Sequence, residues 1–385
     1  MSEIEKVLIR AVAEILPDKQ NLKKLMQKKK IRVYLGIDPT AKRLHLGHTI
    51  NLRKLQEFAN LGHEAILVIG TGTVLVGDPS LRDEARKQIT KKEIKENVRA
   101  WRKQLKKVVN FSKIKIRYNG KWLRKLNYEK INEIASHISS IQLYQRDSFQ
   151  RRIKRGDTVW TNETLYPLMQ GYDSVYLDVD LEIGGTDQIF NMLIGRDLQR
   201  RMNDREKFVL TSPMIVGTDG NPMSKTTGNC IWIDDSAEDK YGKIMSIPDN
   251  LIDSYAELLT RLETKELNFL KSPRDKKARV AKEIVRMYHG GREAEKAEAE
   301  FAKVFKNKEL PTDIPEIKIT EAGPLDILEL LVQTKLVSSK AEARRLVEQK
   351  AVKIDNKIES NWQSQIKTRP GLVIQVGKRR FAKIK

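Results

Sequence analysis

Apolar residues in the first third of the chain come in short runs closed by glycine-rich turns. Residues 31–37 (IRVYLGI) and 65–70 (within EAILVIG) predict two buried strands. Between them Leu46, Ile50, Leu52, Leu55 and Phe58 recur at helical spacing, which predicts a helix over 45–60. Such a strand–helix–strand unit begins a parallel, doubly wound sheet. Further strands are predicted at 113–118 and 207–210, and helices at 91–109, 128–147 and 186–201. The opening stretch MSEIEKVLIRAVAEILPDKQ alternates charge with apolar residues at helical spacing and reads as a surface helix, not a signal peptide.

After residue 232 the pattern changes. From 236 to 310 it is rich in Lys, Glu, Ala and Leu at helical period, predicting a small helical domain, and LPTDIPEIKI (310–319) reads as a linker. Beyond it, Pro324 opens a short helix in DILELLVQTKL, and Ser338 and Ser339 offer N-caps for KAEARRLVEQKAV. Strand-like VKIDNK, LVIQVG and RRFAKI follow.

Charge sharpens this picture. The 385 residues carry a formal net charge of +22, which favours a polyanionic partner. The last segment, 324–385, holds 14 Lys or Arg against 6 Asp or Glu. Its helix displays Lys340, Arg344 and Arg345 on adjoining faces, an arrangement able to lie on an RNA backbone. No apolar run approaches the roughly 20 residues of a membrane span. With one cysteine, Cys230, the chain is expected to be cytoplasmic and free of disulfides, and no Cys/His cluster suggests zinc.

Two phrases carry chemistry. In YLGIDPTAKRLHLGH (34–48), Gly36 lets backbone approach a flat ligand, Asp38-Pro39-Thr40 is a turn, and His45 and His48 share one side of a helix start. A helix N-terminus with imidazoles suits ATP phosphates, and Gly47 between them fits close packing of a base or ribose. A metal reading of the pair lacks a third ligand. The loop GTGTVLVGDPS (70–80) fits neither the dinucleotide nor the Walker pattern. Far downstream, Pro222-Met223-Ser224-Lys225-Thr226 forms a loop whose lysine is suited to clamp phosphates as charge develops on a departing pyrophosphate.

HLGH and MSKT resemble the HIGH and KMSKS signatures of the class I aminoacyl-tRNA synthetases. YPLMQGYDS (166–174) and EIGGTDQIFNMLIGRDLQ (182–199) look like the bacterial tyrosyl-tRNA synthetases in particular, and SSKAEARRLVEQKAVKIDNK is similar to their S4 RNA-binding domain. The resemblance implies a Rossmann-like catalytic domain over 1–232 with a helical insertion near 121–180, a helical anticodon-side domain over 233–320, and a small α+β S4-like domain over 324–385. It implies that Tyr34 and Asp173 meet the substrate phenol, and that Asp78, Tyr166 and Gln170 bind its ammonium. Gly184, Gly185, Asp187 and Gln188 would wall the ribose and adenine, with Gly36, Asp38, Gly47, Met223 and Ser224 also at ATP. Thr40, His45, His48 and Lys225 would stabilise the phosphates, with Arg82 and Arg86 on a basic loop. ATP would be a substrate that carries its own Mg²⁺, with no protein-bound metal; the partners would be L-tyrosine, tRNA(Tyr) and a second copy of the chain.

Two positions depart from the family pattern. Pro222 replaces the first lysine of KMSKS, and Glu182 stands where many relatives have glutamine. Two other readings stay open: a different HIGH-type enzyme, opposed by the Tyr34/Asp173 pair and the tail, and an inactive RNA-binding paralogue, supported by Pro222.

Overall fold

The computed structural model describes residues 2–80, 89–223, 228–306, 314–319, 323–377 and 380–385. They form two compact units, one of Met1–Ser236 with Lys243–Gly291 and one of Ala237–Gly242 with Arg292–Lys385.

The first unit is built on a six-stranded sheet: β1 (Glu14–Leu16), β2 (Arg32–Ile37), β3 (Glu64–Ile69), β4 (Ile114–Tyr118), β5 (Leu181–Gly185) and β6 (Phe208–Ser212), in spatial order β1-β6-β5-β2-β3-β4. The five strands β2 to β6 run parallel, whereas β1 is antiparallel to β6. The order in which the chain adds strands reverses between β2 and β5: β3 and β4 are added on one side of β2, β5 and β6 on the other. A doubly wound sheet opens a crevice at that point, beyond the carboxyl ends of the two strands.

The expected strand–helix–strand start is present, with α1 at Leu46–Asn60 between β2 and β3. α2 (Lys91–Leu105) precedes β4, ending earlier than the periodicity suggested. The helical insertion lies between β4 and β5, and the single helix expected over 128–147 is broken into Tyr128–Ser136 and Ser140–Tyr144. His137 ends the first piece and Ser139 caps the second, its Oγ accepting from Gln142 N–H at 3.1 Å. The insertion closes with α3 (Thr161–Leu177), and α4 (Ile189–Asn203) follows β5. These helices cover one sheet face through a core that includes Ile66, Val68, Trp122, Ile134, Leu168 and Leu198. α3 and α4 approach through Gly171 and Gly195, where an added Cβ would come within 3.2 Å of the other helix's glycine backbone. α5 (Ile252–Leu259) and α6 (Pro273–His289) belong to this same unit.

The N-terminal helix expected from the opening stretch is confined to Glu3–Val7. Ala11 adopts a left-handed φ of 51°, and Glu14–Leu16 then adds to the sheet edge by pairing with Val209–Thr211. The half-apolar pattern of that stretch serves a strand as well as a helix, and pairing with β6 decides the matter.

In the second unit, α7 (Gly291–Lys306) precedes a five-stranded sheet ordered β10-β9-β12-β13-β7. Its strands are β7 (Glu316–Ile317), β9 (Val352–Ile354), β10 (Lys357–Glu359), β12 (Val373–Val376) and β13 (Arg380–Ile384). Part of the expected linker is thus strand, since Glu316–Ile317 pairs parallel with β13. β8 (Pro324–Asp326) pairs with β11 (Gln365–Lys367), so Pro324 starts a strand and Asp326 caps the helix α8 (Ile327–Gln333). Ser339 caps α9 (Lys340–Glu348). Leu330, Leu331, Ala343, Val347, Ile374 and Ala382 close the core between helices and sheet. Among the described residues, no helix is long and apolar enough to cross a membrane.

Candidate active site

The crevice at the switch point holds a cavity of about 340 Å³. Tyr34, Gly36 and Asp38 enter it from the end of β2; Gly184, Gly185, Asp187 and Gln188 from the end of β5; Tyr166, Gln170 and Asp173 from α3. Thr40, His45, Gly47 and His48 line it from the turn and first turn of α1, Asp78 from the loop after β3, and Met223 from the loop after β6. Residues that the sequence scatters over 190 positions are therefore brought to one place. Arg82, Arg86, Ser224 and Lys225 lie outside the described residues, while Lys340, Arg344 and Arg345 belong to the second unit.

The deep end is formed by buried polar groups. Tyr34 is fully buried; its hydroxyl donates to the Gln170 carbonyl at 3.4 Å and accepts from Ser174 Oγ at 3.3 Å. Asp173 accepts from Trp122 Nε1 at 2.8 Å and Asn119 Nδ2 at 3.0 Å. Burial outweighs those two donors and lifts the Asp173 carboxyl to about 8. Burial, with Glu182 and Asp173 nearby, holds the Tyr34 phenol well above its ordinary value, so it is a neutral hydrogen-bonding group.

Beneath this end lies a charged pair that sequence reasoning missed. Lys207 and Glu182 are 0% and 2% exposed and in contact. Glu182 Oε1 accepts from Gln170 Nε2 at 3.0 Å, and Lys207 also donates to Ser174 Oγ at 2.9 Å. Burial pulls the Lys207 ammonium below its usual value, and the Glu182 carboxylate opposes that. Glu182 fixes the Gln170 amide by its nitrogen; the amide oxygen is buried and has no hydrogen-bond partner among the described residues. It is an acceptor held ready on the wall of the cavity.

A second set surrounds Asp78. Gln188 Nε2 donates to Asp78 at 2.8 Å and to Asp187 at 2.9 Å, and the buried Arg146 stands 3.5 Å from Asp78. Arg146 is fixed by Asn191 Oδ1 at 2.8 Å and by Ser80 Oγ. Burial raises the Asp187 carboxyl. Asp38, expected at the nucleotide, accepts from Thr73 Oγ1 at 2.6 Å and from the Tyr166 hydroxyl at 3.2 Å. It thereby ties the turn after β2 to α3.

At the open end His45 is the N-cap of α1, with extended backbone, and His48 is its third helical residue. Their ring centroids are 3.8 Å apart, and His48 Nδ1 lies 3.3 Å from both the N and O of His45. A Cβ on Gly47 would stand 2.9 Å from His45 Nδ1, so the bare backbone lets the imidazole lie over it. A Cβ on Gly36 would meet only Tyr34, at 3.8 Å. The protein leaves room for a side chain at Gly36, and a ligand lying on β2 is the better account of the glycine.

The segment that follows the second phrase is joined to the first phrase by backbone. Leu46 N–H donates to the Ile231 carbonyl at 2.9 Å, and Ile233 N–H to the Leu44 carbonyl at 2.9 Å. Arg43 lies over the Trp232 ring at 4.7 Å and bonds Asp234 and Asp235, both at 2.8 Å. Pro222 bridges Val216, and its carbonyl accepts from Asn229 Nδ2 at 3.1 Å, so where the family signature has a cation this chain has a structural residue.

In the second unit Lys340 is paired with Glu329. Arg344 bonds Glu348 at 2.9 Å and lies over Trp362 at 4.2 Å. Arg345 is exposed and makes no ion pair among the described residues. Of the residues missed, Asn119 follows the end of β4, where a polar residue could have been flagged from the sheet topology alone. Arg146 and Lys207 gave no such signal. Among the described residues no group of three His, Cys, Asp or Glu is placed to hold a metal.

Comparison with known proteins identifies the family. The family model described as tRNA synthetases class I (W and Y) matches residues 26–306, and the tyrosine–tRNA ligase SYY-like C-terminal domain matches 306–384. A tyrosine–tRNA ligase of Carboxydothermus hydrogenoformans is 40% identical, covering 98% of this chain and 96% of its own. One of Thermotoga maritima is 41% identical, covering 98% and 96%. In fold the chain is similar to a C-terminally truncated mitochondrial tyrosyl-tRNA synthetase of Aspergillus nidulans (TM-score 0.69, 23% identity, covering 79% of this chain and 94% of that one). A tyrosyl-tRNA synthetase from Archaeoglobus fulgidus complexed with L-tyrosine gives a TM-score of 0.62 at 23% identity, covering 77% and 100%. A crevice at the switch point, two family models that together match residues 26–384 and relatives matched almost end to end lead to one assignment: this chain belongs to the class I tyrosyl-tRNA synthetases.

Proposed function

We infer that this chain activates L-tyrosine with ATP and passes the tyrosyl group to the terminal ribose of tRNA(Tyr). The observation that carries the reading is a single cavity with a buried hydroxyl-binding end (Tyr34, Asp173) and an imidazole-lined open end (His45, His48). The substrate phenol meets Tyr34 and Asp173; phenylalanine would bring no hydroxyl to either and would leave their remaining hydrogen-bonding capacity buried and unused. The ammonium goes to Asp78, Tyr166 and the open acceptor of Gln170. The tyrosine carboxylate then attacks the α-phosphate of ATP, forming tyrosyl-adenylate and releasing pyrophosphate. The tRNA ribose hydroxyl next attacks the tyrosyl carbonyl, and AMP leaves.

No protein nucleophile is required. Catalysis rests on positioning and on charge stabilisation by Thr40, His45, His48 and Lys225, with Arg82 and Arg86 as further cations and Mg²⁺ arriving with ATP. Gly184, Gly185, Asp187 and Gln188 take the ribose and adenine. The helices after residue 232 serve the anticodon side, and the second unit's strand domain binds RNA with Arg345 foremost. Exposed Tyr128 (83%), Ile141 (76%) and Trp160 (57%) on the helical insertion support a homodimer formed through it. The enzyme works in the cytoplasm.

ATP–pyrophosphate exchange against each of the twenty amino acids tests the reading. Exchange with tyrosine alone is expected. Exchange with another amino acid overturns the pocket, and none from folded protein favours the inactive RNA-binding paralogue that Pro222 suggests.

A further inference from the structure

α2 carries a long row of exposed cations. Lys91, Lys95, Arg99 and Arg102 follow at spacings of three and four, and Lys106 extends the row at the C-cap. Lys92, Lys103 and Lys107 flank it. All eight are exposed, and at 100° per residue they fall within roughly 160° of the helix circumference, over about 22 Å of length. None makes an ion pair among the described residues. The two acids of the helix are used elsewhere: Glu93 closes a capping box with Thr90, and Glu96 pairs with Lys42 at 2.8 Å.

A solvated face usually mixes its signs, as several helices here do; the shorter helix Lys19–Lys28, with four lysines and no acid, does not and provides the control. Lys130–Glu133, Arg286–Glu283, Lys296–Glu293 and Arg344–Glu348 are all paired at helical spacing. Like charges three and four apart work against the helix, so an unrelieved row calls for an anionic partner. The opposite face is fixed and cannot turn to one. Ile94, Trp101 and Leu105 are buried. Asn97 donates to the Pro39 carbonyl at 2.8 Å, Trp101 to Ala41 at 2.7 Å, and Gln104 to Lys42 at 2.8 Å. A membrane surface is a poor match, because an interfacial helix needs its apolar face for the lipid, and here the sheet side has taken it.

We propose that the exposed face of α2 is an RNA-backbone contact of the first unit, laid along the phosphates of the tRNA that the enzyme charges. The proposal rests on the tyrosine–tRNA ligase reading. It adds a contact outside the C-terminal module, on the helix whose other face braces residues 39–44 ahead of His45.

The test compares wild type with Lys95→Gln/Arg99→Gln/Arg102→Gln, and with a control, Lys19→Gln/Lys24→Gln/Lys28→Gln, that removes the same charge from the helix Lys19–Lys28. Binding of a tRNA(Tyr) transcript is measured from low to moderate salt. The α2 variant should bind about tenfold or more weakly, with its log K against log salt slope shallower by about 2, and the control should stay within about twofold of wild type. Tyrosine-dependent pyrophosphate exchange, which needs no RNA, should be unchanged in both, showing that the fold is intact. Equal loss in both variants would reduce the effect to net charge and overturn the proposal, as would wild-type binding by the α2 variant. Absence of tyrosine exchange and of tRNA charging in wild type would instead overturn the ligase reading.

Discussion

Replacing Lys207 with methionine removes the ammonium that faces Glu182 while keeping most of the buried volume. Removing one partner of a buried pair costs about 3–5 kcal/mol, because the remaining charge is stranded or must take up a proton. A protonated Glu182 no longer fixes the Gln170 amide as a charged acceptor, and Ser174 loses its 2.9 Å donor beside the Tyr34 hydroxyl. If the Gln170 oxygen then turns from the substrate ammonium, the loss is that of a hydrogen bond to a charged group, about 1.5–3 kcal/mol. The tyrosine KM in pyrophosphate exchange should therefore rise about 10- to 100-fold. The ATP KM should barely change, since His45 and His48 line the other end of the cavity. Urea unfolding should show a stability loss of about 3 kcal/mol. Glu182→Gln/Lys207→Met, which removes both charges and keeps an acceptor for Gln170, should recover most of both losses, giving a coupling energy of about 2 kcal/mol or more. A Lys207→Met enzyme within about 1 kcal/mol of wild type and with unchanged tyrosine KM would refute this account of the pair.

Asp173 should leave a pH signature. Its carboxyl is raised from 3.8 to about 8, so the folded state holds the proton more tightly than the unfolded chain. The resulting stability is whole below about pH 4 and is lost as pH rises through about 8. Urea unfolding between pH 5 and 8 should show wild type losing ground to Asp173→Asn by up to about 1.4 kcal/mol per pH unit; parallel curves would contradict it. Tyr34→Phe should lower the preference for tyrosine over phenylalanine in exchange about tenfold, and an unchanged ratio would remove Tyr34 from phenol recognition. Gly195→Ala would place a Cβ 2.6 Å from Lys207 Nζ and 3.0 Å from Ser174 Oγ. Despite alanine's better helix propensity, thermal unfolding should report a loss of about 1–3 kcal/mol from overpacking.

Much of the first unit was legible because its strands and α1 carry their own periodicity. β5 was not. Its sequence LEIGG offers two apolar residues, two glycines and a glutamate, and the glutamate is buried there against Lys207, the residue before β6. Charge compensation between neighbouring strands leaves no local pattern to read. β1 failed for the converse reason, since its local pattern suited a helix and only the open edge of β6 made it a strand. In the site, residues of the signature phrases could be named in advance. Their supports Asn119, Trp122 and Arg146 act across 45 to 66 positions of sequence, and no spacing rule links them.

The backbone bonds between Leu44–Leu46 and Ile231–Ile233 have a consequence for how the site holds together. They tie Ile231 to the base of α1, and the Val216–Pro222 bridge fixes the chain nine residues earlier. Loop-closure entropy depends on the residues between anchors, so the cost of closing either contact is set locally and not by the length of the helical insertion. Lengthening or trimming that insertion should leave the Leu44–Ile233 pairing intact. Adding two residues between Gly228 and Ile231 should disturb it.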